Sequence, residues 1–301
     1  MAADDWLAIP YLLKRPEAAI QAITVTGAGE AHCEPGVKNA LGLVALGGHP
    51  GLPVACGRER PLQGNHIFPT AWRDGVDSLY GLTLPEDDNA ASTQTAVELL
   101  TATVQSSPQK ITLLTLGPLT NVAEALQATP TLKDNMEMIY MMGGAVDAPG
   151  NVGVSEAAID NDFAEWNFYI DPHAAGIVFQ SGAPLTLIPL DATNQAPVTV
   201  EFYNRLKDEH ATPVAKFAFE ALSENHGFIE SGGFYFWDPL AAAILTDESL
   251  ATFETRALTV VEDEGPRSGG LAISDSSPII RFAASADGKQ FEQVFLEALN
   301  R

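Results

Sequence analysis

Short apolar runs without in–out alternation, each handing over to a helix-patterned segment, most narrow what this chain can fold into. Residues 22–26, 111–115, 138–142 and 185–190 are such runs. A strand that is apolar on both faces must be covered on both faces, as in a parallel sheet flanked by helices. Helix patterns that could cover it span 5–13 (with a kink at Pro10), 37–46, 93–104, 118–126, 172–179, two segments within 200–225, 239–245 and 291–299. Residues 52–56, 257–261 and 279–283 read as further strands. The prediction is one α/β domain over residues 1–301: three layers, a mostly parallel central sheet and helices on both faces, Rossmann-like. Two irregular stretches, 58–92 and 145–162, are long for connections and read as flaps over a site.

Composition limits the partners. With 46% hydrophobic and 18% charged residues the chain is an ordinary globular one, and no apolar stretch approaches the roughly 20 residues that span a bilayer. The net charge of −23 leaves only 16 Lys and Arg to meet phosphates, which argues against nucleic acid. Neither a membrane nor a nucleic acid is an expected partner. Cys33 and Cys56 show neither a disulfide framework nor a metal-ligand spacing, so a reducing, cytoplasmic compartment is the default. No leader pattern opens the chain, although one ahead of Met1 would be compatible with everything else.

In a parallel α/β sheet, ligands sit beyond the carboxyl ends of the strands. The residues to inspect are therefore Gly27 to Glu30, Leu116-Gly117, Met142-Gly143-Gly144 and Asp191, with Asp4-Asp5 at the start of the first helix. Two further clusters are Ala164-Glu165-Trp166-Asn167 before Asp171-Pro172, and Phe236-Trp237-Asp238-Pro239. Each has a plain structural reading. Asp4 and Asp5 could cap a helix, Asp171 and Asp238 precede proline as caps do, and Asn121 could bond turn backbone. Glu165 and Asn167 could form a solvated edge, and Trp237 could be core. Paired carboxylates are also what a hard cation such as calcium requires.

Taken in order, these motifs resemble the inosine–uridine-preferring nucleoside hydrolases. The resemblance runs nearly end to end through Asp4-Asp5, Thr24-Val25, Asn39-Ala40-Leu41, Leu116-Gly117-Pro118-Leu119-Thr120-Asn121, Met141-Met142-Gly143-Gly144, Ala164-Glu165-Trp166-Asn167 with Asp171-Pro172, Leu190-Asp191 and Asp238-Pro239. It implies calcium-dependent hydrolysis of the N-glycosidic bond of a small-molecule nucleoside, and a homo-oligomer, dimer or tetramer. By that resemblance Asp5, Asp238 and the Leu116 carbonyl hold calcium (Ca2+), and Asp4 binds a ribose hydroxyl. Glu165 and Asn167 bind ribose from the opposite wall, and Met142 lines the sugar pocket.

The match has four departures. The family begins with a strand ending in Asp-x-Asp, whose second aspartate, a calcium ligand and the proposed water base, would fall just before Met1; a late start or a cropped sequence is the expectation. The family's ribose-binding asparagine is replaced by Ala28 or Glu30. The histidine often found before the last calcium aspartate is Trp237, which can stack and donate one N–H but cannot act as an acid, leaving His226 or Tyr235 as other candidates at the leaving group. Finally, Asn151 or Asn161 would supply the remaining sugar contact. The alternative function is a catalytically impaired binder of nucleosides or ribose.

Overall fold

The apolar run ahead of Lys14 folds as helix α1 (Asp5–Leu13), with Trp6, Leu7, Ala8, Ile9, Tyr11 and Leu13 all buried. A helix apolar on every side has to lie inside the protein, not on its surface. In the computed structural model, which describes residues 1–86 and 91–301, α1 is followed by β1 (Ile23–Val25), α2 (Cys33–Gly47), β2 (Val54–Cys56), α3 (Thr70–Asp77) and α4 (Ala96–Ser106). Then come β3 (Ile111–Thr115), α5 (Thr120–Ala128), β4 (Met136–Met142), α6 (Val152–Ser155), α7 (Trp166–Ile170), α8 (Pro172–Gln180), β5 (Leu185–Ile188) and α9 (Leu190–Thr193). The chain continues through α10 (Val200–Asp208), α11 (Pro213–Glu224), α12 (His226–Glu230), α13 (Trp237–Thr246), β6 (Ala251–Val260), β7 (Leu271–Ile273), β8 (Ile279–Ala286) and α14 (Gly288–Leu299). Within the expected 58–92 flap, residues 87–90 lie outside the described residues.

Six strands form one sheet in the order β3-β4-β5-β8-β6-β7. Strands β3, β4, β5 and β8 run parallel, while β6 is antiparallel to both β8 and β7. Of these, β3, β4 and β5 are the strands that read as uniformly apolar. Strand β6 begins at Ala251, well ahead of the expected 257; its first half, half-buried or exposed along a partly solvated edge, carries a weaker apolar pattern. Strands β1 and β2 pair separately and in parallel. The two sheets meet through side chains: Asn121 Nδ2 donates to the Val25 carbonyl at 3.0 Å, and Thr26 Oγ1 to that of Pro118 at 3.3 Å. Two main hydrophobic clusters form, one around α1, α2, α11, α13 and α14, the other around α4, α5 and α8.

One expectation is overturned. Cys33 and Cys56 are joined as a disulfide, with Cα atoms 5.5 Å apart. Cys33 opens α2 and Cys56 ends β2, and these elements pack together. Proximity that arises from tertiary packing leaves no trace in Cys spacing, and the argument from cysteine to a reducing compartment falls with it. Among the described residues, no helix is long and apolar enough to cross a membrane.

Candidate active site

Two helix starts converge to make the acidic centre. Helix α1 packs along α13, which brings Asp4 and Asp5 beside Asp238, the second residue of α13. One carboxylate oxygen from each of the three lies within 4.8 Å of the others. Asp4 makes no side-chain capping bond to α1, so the plain cap reading fails for it. Asp5 accepts the Ala2 N–H at 2.6 Å. Asp238 is 1% exposed and its Oδ1 has no partner among the described residues.

Burial pushes the Asp4 and Asp238 carboxyls well above the usual carboxylate range, and the like charges of the cluster raise them further. The positive ends of the two helices offset only part of that repulsion. Three converging carboxylates with an orphaned buried oxygen are a donor set suited to a hard divalent cation, which requires oxygen ligands and offsets their mutual repulsion.

The opposite wall is built from the end of β4 and the start of α7. Glu165 is 3% exposed and accepts three backbone N–H groups: Asn167 at 2.9 Å, Gly144 at 3.0 Å and Phe168 at 3.3 Å. Burial nevertheless raises its carboxyl to about 7. Gly143 seats it: at φ 154°, a Cβ there would lie 2.7 Å from the Phe168 ring and 3.1 Å from Glu165 Oε2. Asn167 Nδ2 donates to the Leu116 carbonyl at 3.1 Å and to the Met142 carbonyl at 3.3 Å. Three residues named from sequence are thus locked together, and the Leu116 carbonyl keeps a second lone pair.

The turn after β1 forms the third wall. Ala28 is buried among Phe68, Val152 and Trp166, so of the two candidates Glu30 is the one with polar reach. Burial raises its carboxyl to about 7; the Asp5 charge adds to this and Arg73 opposes it. Sequence reasoning missed Arg73 and Tyr80, both inside the 58–92 stretch. Arg73 is 7% exposed and donates to the Gly27 carbonyl at 2.7 Å. Tyr80 follows Leu79 in a left-handed pair, φ 50° after φ 52°. Its phenol is pushed up to about 12 by burial and by Glu30. The signal that could have exposed them is the Trp72-Arg73-Asp74-Gly75 run in an otherwise irregular segment.

The remaining candidates separate clearly. Trp237 Nε1 is buried without a partner among the described residues, and its ring packs beside Phe234 and Tyr235. His226 sits on α12 against Tyr203 and 3.7 Å from Glu230. Asn151 Oδ1 is buried and unpartnered. Asn161 instead uses its amide on Ser268, Phe163 and Ala164 backbone. Asp171 caps α8 through Ala174 and also holds Leu62 and Thr120, as its plain reading expected. Asp191 accepts the N–H groups of Val146, Asp147 and Ala148, which fixes the start of the second flap.

A largely parallel α/β sheet with carboxylates gathered at helix starts suits metal-assisted hydrolysis. The chain belongs to the inosine-uridine preferring nucleoside hydrolase family, whose model matches residues 1–293; these are metal-dependent hydrolases acting on N-glycosyl bonds. The pyrimidine-specific ribonucleoside hydrolase RihA of Escherichia coli O1:K1 is 35% identical over 280 residues, covering 90% of this chain and 85% of that protein. The enzyme of the same name from Salmonella typhi is 34% identical with the same coverage. Among solved structures, a purine-preferring ribonucleoside hydrolase from Gardnerella vaginalis superposes with a TM-score of 0.86 at 30% identity, over 99% of this chain and 95% of that one. The plant nucleoside hydrolase PpNRh1 gives 0.88 at 27% identity, over 99% and 96%. Both the family and the fold expected from sequence are borne out.

Proposed function

We propose that this chain hydrolyses the N-glycosidic bond of ribonucleosides with calcium bound, releasing ribose and a free nucleobase. The observation that carries this reading is the meeting of Asp4, Asp5 and Asp238 within 4.8 Å in a chain of this family. Asp5, Asp238 and the Leu116 carbonyl would hold the ion. When bound, it supplies a positive charge that orients a ribose diol and acidifies a water.

The chain's own residues do the rest. Asp4 binds a ribose hydroxyl and, as the carboxylate of the cluster not assigned to the ion, would take the proton from water as its oxygen bonds to C1′. Glu165, Asn167 and Glu30 hold the other sugar hydroxyls, Asn151 Oδ1 accepts a further one, and Met142 lines the sugar face. Breaking the C1′–N bond leaves positive charge on the sugar, which the surrounding carboxylates stabilise. The bond's electron pair leaves with the nucleobase. Trp237 donates its free Nε1–H to that base as a hydrogen bond, and the base takes its proton from solvent, since an indole N–H is not acidic enough to transfer. The free Nε1–H favours Trp237 over His226 for this role.

The test is ribose release from inosine and uridine with and without a calcium chelator. Release that the chelator abolishes and calcium restores supports the reading. Chelator-insensitive turnover contradicts the role of the ion. Nucleoside held intact for hours identifies the non-catalytic binder instead.

A further inference from the structure

We propose that Arg73 is the positioning residue of the sugar-binding end, holding the turn that carries Glu30 against Asp4 and Asp5. This rests on the ribonucleoside reading, in which Glu30 faces ribose. Among the described residues Arg73 is the one buried basic side chain, and the carboxylates whose charge acts on it are those of Glu59, Asp77 and Glu30. Its Nη2 brackets the turn, donating to the Gly27 carbonyl at 2.7 Å and reaching that of Ala31 at 3.4 Å. Glu59 stands 3.7 Å from the same nitrogen and accepts the Cys33 N–H at 3.0 Å. Asp77, at the far end of α3, takes the His32 N–H at 2.9 Å.

The turn therefore rests on α3, while the disulfide ties its far side to β2. It has no slack: a Cβ on Gly27 would lie 2.7 Å from Cys33 Sγ and 2.9 Å from the Arg58 carbonyl, and one on Gly29 would lie 3.3 Å from the Met1 nitrogen. A simple filler here would be an apolar chain, because a buried guanidinium costs stability unless its charge and donors are needed. Arg73 even leaves its Nε buried without a partner among the described residues. What the charge and the two Nη2 bonds provide together is a fixed turn and a positive charge that acts on Glu30.

The experiment compares the wild-type chain with R73K and R73M. R73K keeps the charge but not the guanidinium's reach to both turn carbonyls, and R73M keeps only the bulk. Steady-state constants, inhibition by free ribose, calorimetric ribose binding and hydrogen exchange of the 27–33 amides are measured. Loss of charge-assisted bonds predicts that R73M raises KM and the ribose constant about 10-fold or more, with kcat changed less than about threefold. R73K should fall between R73M and wild type, and exchange should rise at 27–33 in both variants. R205M, which removes a surface pair with Glu292, should change none of these.

Unchanged ribose binding in a folded R73M overturns the proposal. So does a fall in kcat and melting temperature with KM unmoved, which marks a prop with no bearing on the sugar. If R73M does not fold, R73K decides by the same readings. Should the wild-type chain release base from no nucleoside, the proposed function fails, yet ribose binding and amide exchange still decide on Arg73.

Discussion

Asp5 and Asp238 stand 233 residues apart in the sequence, yet their carboxylates share one 4.8 Å cluster with Asp4. Had the two been unrelated helix caps they could lie anywhere on the molecule. A cation with ligand distances of roughly 2.3–2.6 Å can bridge them only at close range. The packing of α1 on α13 brings them that close, so two core helices are also the frame of the site.

Replacing Asp238 by asparagine should weaken calcium binding by about 100-fold or more, as loss of an ionic ligand does. Without calcium the same variant should be more stable than wild type at neutral pH, because it removes the buried one of three mutually repelling carboxylates. About 1 kcal/mol is expected for each pKa unit relieved. Calorimetric titration and melting curves in chelator check the two halves separately.

The pH dependence of the metal-free protein follows from the raised carboxyls. Asp4 and Asp238 are held well above their ordinary range, and Glu30 and Glu165 are raised to about 7. The folded state therefore keeps more protons than the unfolded chain between the ordinary carboxylate range, about 4, and about 7. Stability must fall as pH rises through that window. Melting temperatures in chelator should drop from pH 5 to pH 7.5, and saturating calcium should flatten the drop.

Asn167→Ala should unlink the Leu116 and Met142 carbonyls that Asn167 Nδ2 joins. Leaving them unpaired costs about 1–3 kcal/mol of stability. Both KM and calcium affinity should worsen, because the same amide orients a sugar-facing wall and a proposed ligand carbonyl. Urea unfolding with parallel steady-state assays measures both effects.

Trp237→Phe keeps an aromatic face but loses the unpartnered Nε1–H. One neutral hydrogen bond predicts a fall in kcat of about 3- to 10-fold, while Trp237→Ala should lose more. Equal kcat in wild type and the phenylalanine variant would remove the donor role.

Reduction of the Cys33–Cys56 disulfide, whose partners are 23 residues apart, should cost about 3 kcal/mol through the freed entropy of the unfolded chain. Melting curves with and without a dithiol give the difference directly.

Much of this arrangement is legible in the sequence, for physical reasons. Strands β3, β4 and β5 and helix α13 are apolar runs with clear ends, and a parallel sheet places ligands at the strand ends, which points to Leu116 and Met142. Glu165, Asn167 and Asp238 are named instead through the resemblance of their motifs to the nucleoside hydrolases. The hidden features depend on distant packing. Cys33 meets Cys56 only because α2 lies on β2. Arg73 looks like any charged residue of a short helix until its guanidinium is found under Gly27. Asn151 and Asn161 are equivalent on paper, and differ only in that backbone N–H groups and the Ser268 carbonyl already occupy Asn161. The extra length of β6 was missed because a half-exposed strand end carries a weaker apolar signal.

The most direct test of the central claim is calcium titration into the wild-type chain and Asp238→Asn, with ribose release from inosine and uridine followed in the same samples. The account predicts saturable binding and calcium-dependent release in wild type, both lost together in the variant. Ribose release that persists in chelator, or that survives in the variant without calcium binding, would contradict it.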